Sequence, residues 1–271
     1  MLKPMTRNLF AAVALCASTA GAQATFSINL SFTGLTPTQE SYFTAAKSFW
    51  ESAITGYQAG ISLTGFTINA LGSNIDGLGG ILGSAGPSTA TSQGGFVLTT
   101  LGQMNFDLAD INNLITLGSF TDVIKHEMGH VIGFGTLWTN NNVYVDNTGQ
   151  YTGANALARY KTEFNQPAAV FVPIELGGGA GTANGHWNEV DNGAALTGIV
   201  DSQGRDFRFE LMTGWLNSPI FTSLTTLASF QDIGYNVNLS AVPEPGAIAL
   251  LLLGIPLVAG AAARRQRRLA A

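Results

Sequence analysis

From Phe26 to Phe32 apolar and small polar residues alternate, so that Phe26, Ile28, Leu30 and Phe32 share one side of an extended chain. That period of two predicts a half-buried strand. The period then changes. Phe43, Ala46, Phe49, Trp50, Ala53 and Ile54 recur at helical spacing behind a start signal made by Thr36 as N-cap, Pro37 in the first turn and Gln39 three residues after the cap. A helix packed on a sheet is expected there, ended by Gly56. The stretches ISLTGFTINAL and GGFVLTTLGQMNFD predict further strands, and the glycine-rich NIDGLGGILGSAGP between them reads as a surface loop. It is not a phosphate-binding loop, because no Gly-Lys-Ser/Thr follows and no helix opens there. Asp107 is placed to cap a short helix, LADINNLI, and Ser119 with Asp122 to form a capping box for the helix after it.

Both ends differ from this body. Residues 1–24 carry Lys3 and Arg7, an apolar run, and then small residues at Ala20, Ala22 and Ala24, the pattern of a secretory signal cleaved after Ala22 or Ala24. A lipoprotein reading through Cys16, the only cysteine, is weaker because bulky Leu15 precedes it. At the other end Pro243-Glu244-Pro245 stands before an apolar run at 246–263, followed by Arg264, Arg265, Arg267 and Arg268. Such a run is just long enough to be transmembrane, with the arginines on the cytoplasmic side. Its order resembles the PEP-CTERM sorting signal of Gram-negative bacteria, spanning 243–271. The resemblance implies processing by an exosortase and a cell-envelope or extracellular location after transient inner-membrane anchoring. The alternative is an ordinary single-span anchor.

Residues 25–242 are then the expected folded domain, large enough for a sizeable core. They hold six basic and sixteen acidic residues, a net charge of about −10, which argues against nucleic acid or anionic membrane surfaces as partners. Without cysteine no disulfide framework is expected in this segment. Abundant glycine and scarce lysine suggest a body rich in loops and strands, and no fixed-period repeat is present.

The chemistry concentrates in TDVIKHEMGHVIGFGTLW, residues 121–138. On a helix His126 and His130 project from one face, one turn apart, so both can bind one ion. A catalytic zinc takes three protein ligands and leaves one position for water, which Glu127 can reach as general base. The H-E-x-x-H pattern alone is only moderately specific. Gly133 and Gly135 turn the chain out of the helix just after the second histidine, and His186, in GHWNE, is the only histidine left to complete a set of three. Glu189 and Glu175 are the alternative third ligands. Met212, in FELMTGW, is core filler by default, and Trp138 and Trp187 read as packing residues.

HEMGHVIGFGTLW, the distant GHWNE and then ELMTGW resemble the leishmanolysin-like branch of the metzincin zinc peptidases. IDGLGGILGSAGP, MNFDLADINNL, VPIELGGGAG and FQDIGYNVN are similar to its bacterial members, so the resemblance covers nearly all of residues 25–242. It implies an α+β, metzincin-like zincin fold, with an N-terminal twisted sheet and active-site helix (about 25–135) and an irregular C-terminal lobe (about 136–242). It implies a Zn2+ cofactor held by His126, His130 and His186, Glu127 as the catalytic base and Met212 as the Met-turn methionine. Two features depart from relatives: a cysteine switch for latency is missing, and Gly214 stands where some metzincins carry a tyrosine. The function expected is an exported zinc endopeptidase acting on proteins or peptides, a hydrolase whose extended substrate adds along an edge strand, with GGFVLTTL the candidate. The competing expectation is a catalytically silent surface or matrix adhesion protein, which would have no need to keep the glutamate.

Overall fold

The alternating stretch forms strand β1, Ser27–Thr33, in a computed structural model that describes residues 26–215 and 217–240. The signal (1–24), the tail (243–271) and the span at 246–263 lie outside the described residues. Phe26 and Ile28 are buried as expected. Helix α1, Pro37–Ala53, opens with the Thr36–Gln39 capping box intact. It ends three residues before Gly56. Ile54 becomes extended and starts β2, Ile54–Tyr57, because that segment pairs with β8, Tyr235–Val237, at the far end of the described chain.

Strands β3 (Gly65–Ser73), β4 (Gly83–Gln93) and β5 (Phe96–Asp107) complete a four-stranded sheet of order β1-β3-β5-β4. The first three run parallel and β4 runs antiparallel to β5. Two expectations are corrected here. The glycine-rich stretch is a loop only as far as Leu82, since Gly83 onward is a strand whose small residues show no apolar alternation. GGFVLTTL is not an outer strand, because β5 lies between β3 and β4. Residues 96–101 pair with β4, and on the other side β3 is reached at Leu101 while Val97 is tied to the Asn141 side chain. Of the outer strands, β1 and β4, it is β4 that borders a cleft. Pro87, which has no amide to donate, sits beside a register irregularity in that edge strand, where its missing hydrogen bond is tolerated.

Helices α2 (Leu108–Thr116) and α3 (Phe120–Ile132) follow directly. Asp107 caps α2 as expected, but Ser119 makes no capping bond to α3. Its hydroxyl turns back to the Leu114 carbonyl, since only Leu117, Gly118 and Ser119 close the corner between the helices. Asp122 instead pairs with Lys125. Phe43 of α1, Phe106 of β5 and Phe120 of α3 meet edge to face, with centroids 5.2 to 6.0 Å apart. All three are fully buried, a contribution of roughly 1.5–3 kcal/mol each. Buried donors then fix α3 through its carbonyls: Trp50 Nε1 to Lys125, Thr99 Oγ1 to Val131 and Tyr235 Oη to Ile132, at 2.7 to 2.9 Å.

The rest is mostly irregular. It comprises β6 (Gln150–Tyr151), α4 (Ala154–Glu163), β7 (Val172–Pro173), a 3-10 turn (Phe207–Phe209), α5 (Leu224–Gln231) and β8. Single bridges join Ile174 to Trp187, Trp187 to Thr213 and Glu210 to Phe221. Among the described residues no helix is long and apolar enough to cross a membrane.

Asp107 also holds the loop ahead of β4, its Oδ2 accepting from the amides of Ile75, Asp76 and Gly77 at 2.8 to 3.2 Å. The bond from the Ala109 amide, and after it those from Asp76, Gly77 and Ile75, lower its pKa from 3.8 to about 2. A folded-state value below the unfolded one stabilises the fold above about pH 4, and the contribution is lost as pH falls toward 2. Asp107→Asn should therefore unfold more easily than wild type near neutrality, with the gap in melting temperature closing between about pH 5 and pH 2. A gap independent of pH would show that the charge of Asp107 is not what holds the loop.

Candidate metal centre

Helix α3 sets His126 and His130 one turn apart, ring centroids 4.7 Å from each other. Gly133 ends the helix at φ 133°, and Gly135 follows in the left-handed region at φ 72°. A Cβ on Gly135 would lie 2.3 Å from the Gly185 carbonyl oxygen, so glycine is required there for close approach as well as for conformation. That approach brings His186 over the helix. Trp187 then anchors the segment: it is fully buried between Phe134 and Trp138, at 4.9 and 5.2 Å, and donates to Thr226 Oγ1 at 2.8 Å. Trp138 and Trp187 are packing residues, as expected.

The three Nε2 atoms lie 3.0 Å from one another. Each Nδ1 faces a backbone carbonyl, that of Leu211 for His126, Phe134 for His130 and Thr182 for His186, at 2.7 to 2.9 Å. A carbonyl only accepts, so each Nδ1 carries the proton and each neutral ring turns a bare Nε2 inward. Burial keeps the rings neutral: it lowers the pKa of His126, sends His130 well below its ordinary value and takes His186 to about 3. Three lone pairs at this spacing repel unless a cation lies among them. A tetrahedral ion with bonds of about 2.0–2.1 Å separates its ligands by about 3.3 Å, and neutral imidazoles oriented by carbonyls are its usual donors, so the residues fit zinc.

Glu127 lines the cleft beside the histidines and is buried. Burial raises its pKa to about 8; a divalent charge at the histidines would draw it back down. Met212 is fully buried, its thioether against Gly129, where a Cβ would lie 2.9 Å from the sulfur. Glu175 and Glu189 do not join the histidines: among the described residues the converging group is His126, His130 and His186. The two carboxylates brace loops instead, Glu175 accepting from Gly177 and Glu189 from Gly214.

The reading of the sequence passed over Glu210. Its buried carboxylate accepts from the amides of Met212 and Ser223 and the hydroxyls of Ser223 and Thr226, at 2.6 to 2.9 Å. It thereby fixes the turn that presents the Leu211 carbonyl to His126 and Met212 to Gly129. The available signal was an acid next to Leu211-Met212, in a segment otherwise suited to burial.

Above the histidines lies a cleft of about 880 Å³, walled by Gly80–Ala85 on one side and by Gly178–His186 and the Met212 turn on the other. A mixed sheet over a helix that carries H-E-x-x-H, completed by a third histidine from a later loop, defines a zincin-type metallopeptidase fold. Residues 97–243 match the profile of leishmanolysin, and the chain belongs to that metallopeptidase family. Residues 241–268 match the PEP-CTERM protein-sorting motif, which implies export, surface sorting and handling by an exosortase. No curated protein matches the chain.

Glu210→Ala leaves four buried donors without their acceptor and should destabilise the protein by about 3 kcal/mol, a drop of roughly 6–12 °C in melting temperature. Glu210→Gln, which keeps the shape and one acceptor, should recover part of it. A loss under about 1 kcal/mol for the alanine variant would mean that the turn is held by other contacts.

Proposed function

We propose that the protein is an exported zinc endopeptidase, with His126, His130 and His186 holding the metal and Glu127 acting as general base and then general acid. The observation that carries this reading is the convergence of three bare Nε2 atoms within 3.0 Å of one another in a cleft that Glu127 also lines. Zinc, when bound, supplies a Lewis acid for the carbonyl oxygen and lowers the pKa of a water toward 7.

The chain's own groups do the rest. The Glu127 carboxylate takes a proton from the attacking water, holds it in a site largely closed to solvent, and passes it to the departing amine nitrogen. The carbonyls of Leu211, Phe134 and Thr182 keep the imidazoles in one tautomer and orientation. An extended peptide adds to the free edge of β4 at Gly83–Ala85, in place of the β5 segment GGFVLTTL. Antiparallel addition is preferred, since it makes the better-paired ladder. Met212 packs beneath the histidine pair against Gly129, closing the floor of the site.

Residues 25–242 constitute the peptidase domain in this reading, divided near 135 into a sheet-bearing lobe and an irregular one. The tail from 243 serves as a sorting signal whose 246–263 span anchors the protein only transiently in the inner membrane of a Gram-negative cell; the intact mass of the surface form reads whether it has been removed.

Glu127→Ala should retain about one zinc per chain and the native fold, while hydrolysis of casein falls about 10³-fold. Equal activity in variant and wild type would trace the hydrolysis to a contaminant. Zinc-loaded wild type inert toward every unfolded protein tried would overturn the endopeptidase reading.

A further inference from the structure

The charged side chains of the cleft are of one sign. Its charged lining residues, among those described, are Glu127, Asp146 and Glu210, and neither lysine nor arginine faces it. Two of the three carboxylates are committed: Glu127 sits beside the histidines, and Glu210 is buried under four hydrogen bonds. Asp146 is exposed at the rim, with one oxygen accepting from Thr139 Oγ1 at 3.1 Å. Its loop is clamped to the opposite wall. Asn184, three residues from the wall's Gly181 and two before His186, accepts from Tyr144 Oη at 2.5 Å and the Asn147 amide at 2.8 Å, and its amide donates to Asn147 Oδ1 at 3.2 Å. Asp146 therefore stands at a fixed place on the cleft, although its side chain is free to meet a ligand.

The direction of β4 says which part of a peptide meets it. Gly83 pairs with Phe106, whose ring packs on Phe120 at the start of α3, whereas Gly86 approaches the Thr136 methyl beyond the helix's end. So β4 and α3 run the same way, and Thr139 and Asp146 follow the end of α3 on the side toward which β4 runs, where Asn141 bonds Val97 opposite Ser92. A peptide antiparallel to β4 enters at the Asp146 end and leaves toward Val123 and Leu211.

We propose that Asp146 makes this cleft select peptides with lysine or arginine on the N-terminal side of the scissile bond. The proposal rests on the endopeptidase reading for its substrate, but it is tested by binding, which needs no turnover. An exposed carboxylate meeting one cation in water gives about a 3- to 10-fold preference, weakened by salt. The same carboxylate disfavours an acidic side chain at that position.

The test uses zinc-loaded Glu127→Ala protein and fluorescent peptides of one sequence, in which a single lysine is walked through a glutamine background. Fluorescence anisotropy should show lysine on the N-terminal side binding about 3- to 10-fold tighter than glutamine, with no such gain on the C-terminal side. Asp146→Asn should abolish the gain and Asp146→Lys should invert it. The inference is overturned by a gain that survives Asp146→Asn, by one confined to the C-terminal side, or by failure of every peptide to bind. Wild type that binds with the expected ratio yet cleaves none of the peptides would count against the hydrolytic reading alone.

Discussion

Three neutral imidazole nitrogens face one another at 3.0 Å, and nothing in the protein alone makes that favourable. Each is bare because its ring partner donates to a backbone carbonyl. Those carbonyl bonds hold the rings in this arrangement. Neutral imidazoles oriented from behind by carbonyls are the usual donors of a metal centre.

What holds the arrangement comes from three distant parts of the chain. The helix supplies two rings at a spacing that its geometry dictates, and its carbonyls are gripped by Trp50, Thr99 and Tyr235. The loop at 178–186 supplies the third ring, docked on the bare backbone of Gly135 and pinned by the buried Trp187. The turn at Met212 supplies the carbonyl that orients His126, and Glu210 ties that turn to the start of α5. Loss of any one frees a ring rather than removing it.

Much of this was legible in the residues. Apolar spacing and capping chemistry placed α1 and α2, and the histidine count singled out His186, because a three-histidine site had no other choice. The strand β4 was not legible: an edge strand of small and polar residues has little to bury and leaves no alternation to read. Mistaking it for loop also misplaced the sheet's free edge, since β5 looks like an edge only when its neighbour is missing. The Ser119 box failed because the tight corner after Gly118 leaves that serine helical, with its hydroxyl turned to Leu114. Glu210 was hidden because its partners beyond the Met212 amide lie thirteen and sixteen residues ahead, at the start of a helix that local pattern does not connect to it.

Zinc K-edge X-ray absorption on the metal-loaded protein tests the central claim most directly, because it counts the ligands the carbonyl-oriented rings are said to present. The account predicts three imidazole nitrogens at about 2.0–2.1 Å and one further light atom, with loss of one imidazole in His186→Ala. Two imidazoles in the wild type, or three that persist in His186→Ala, would contradict it.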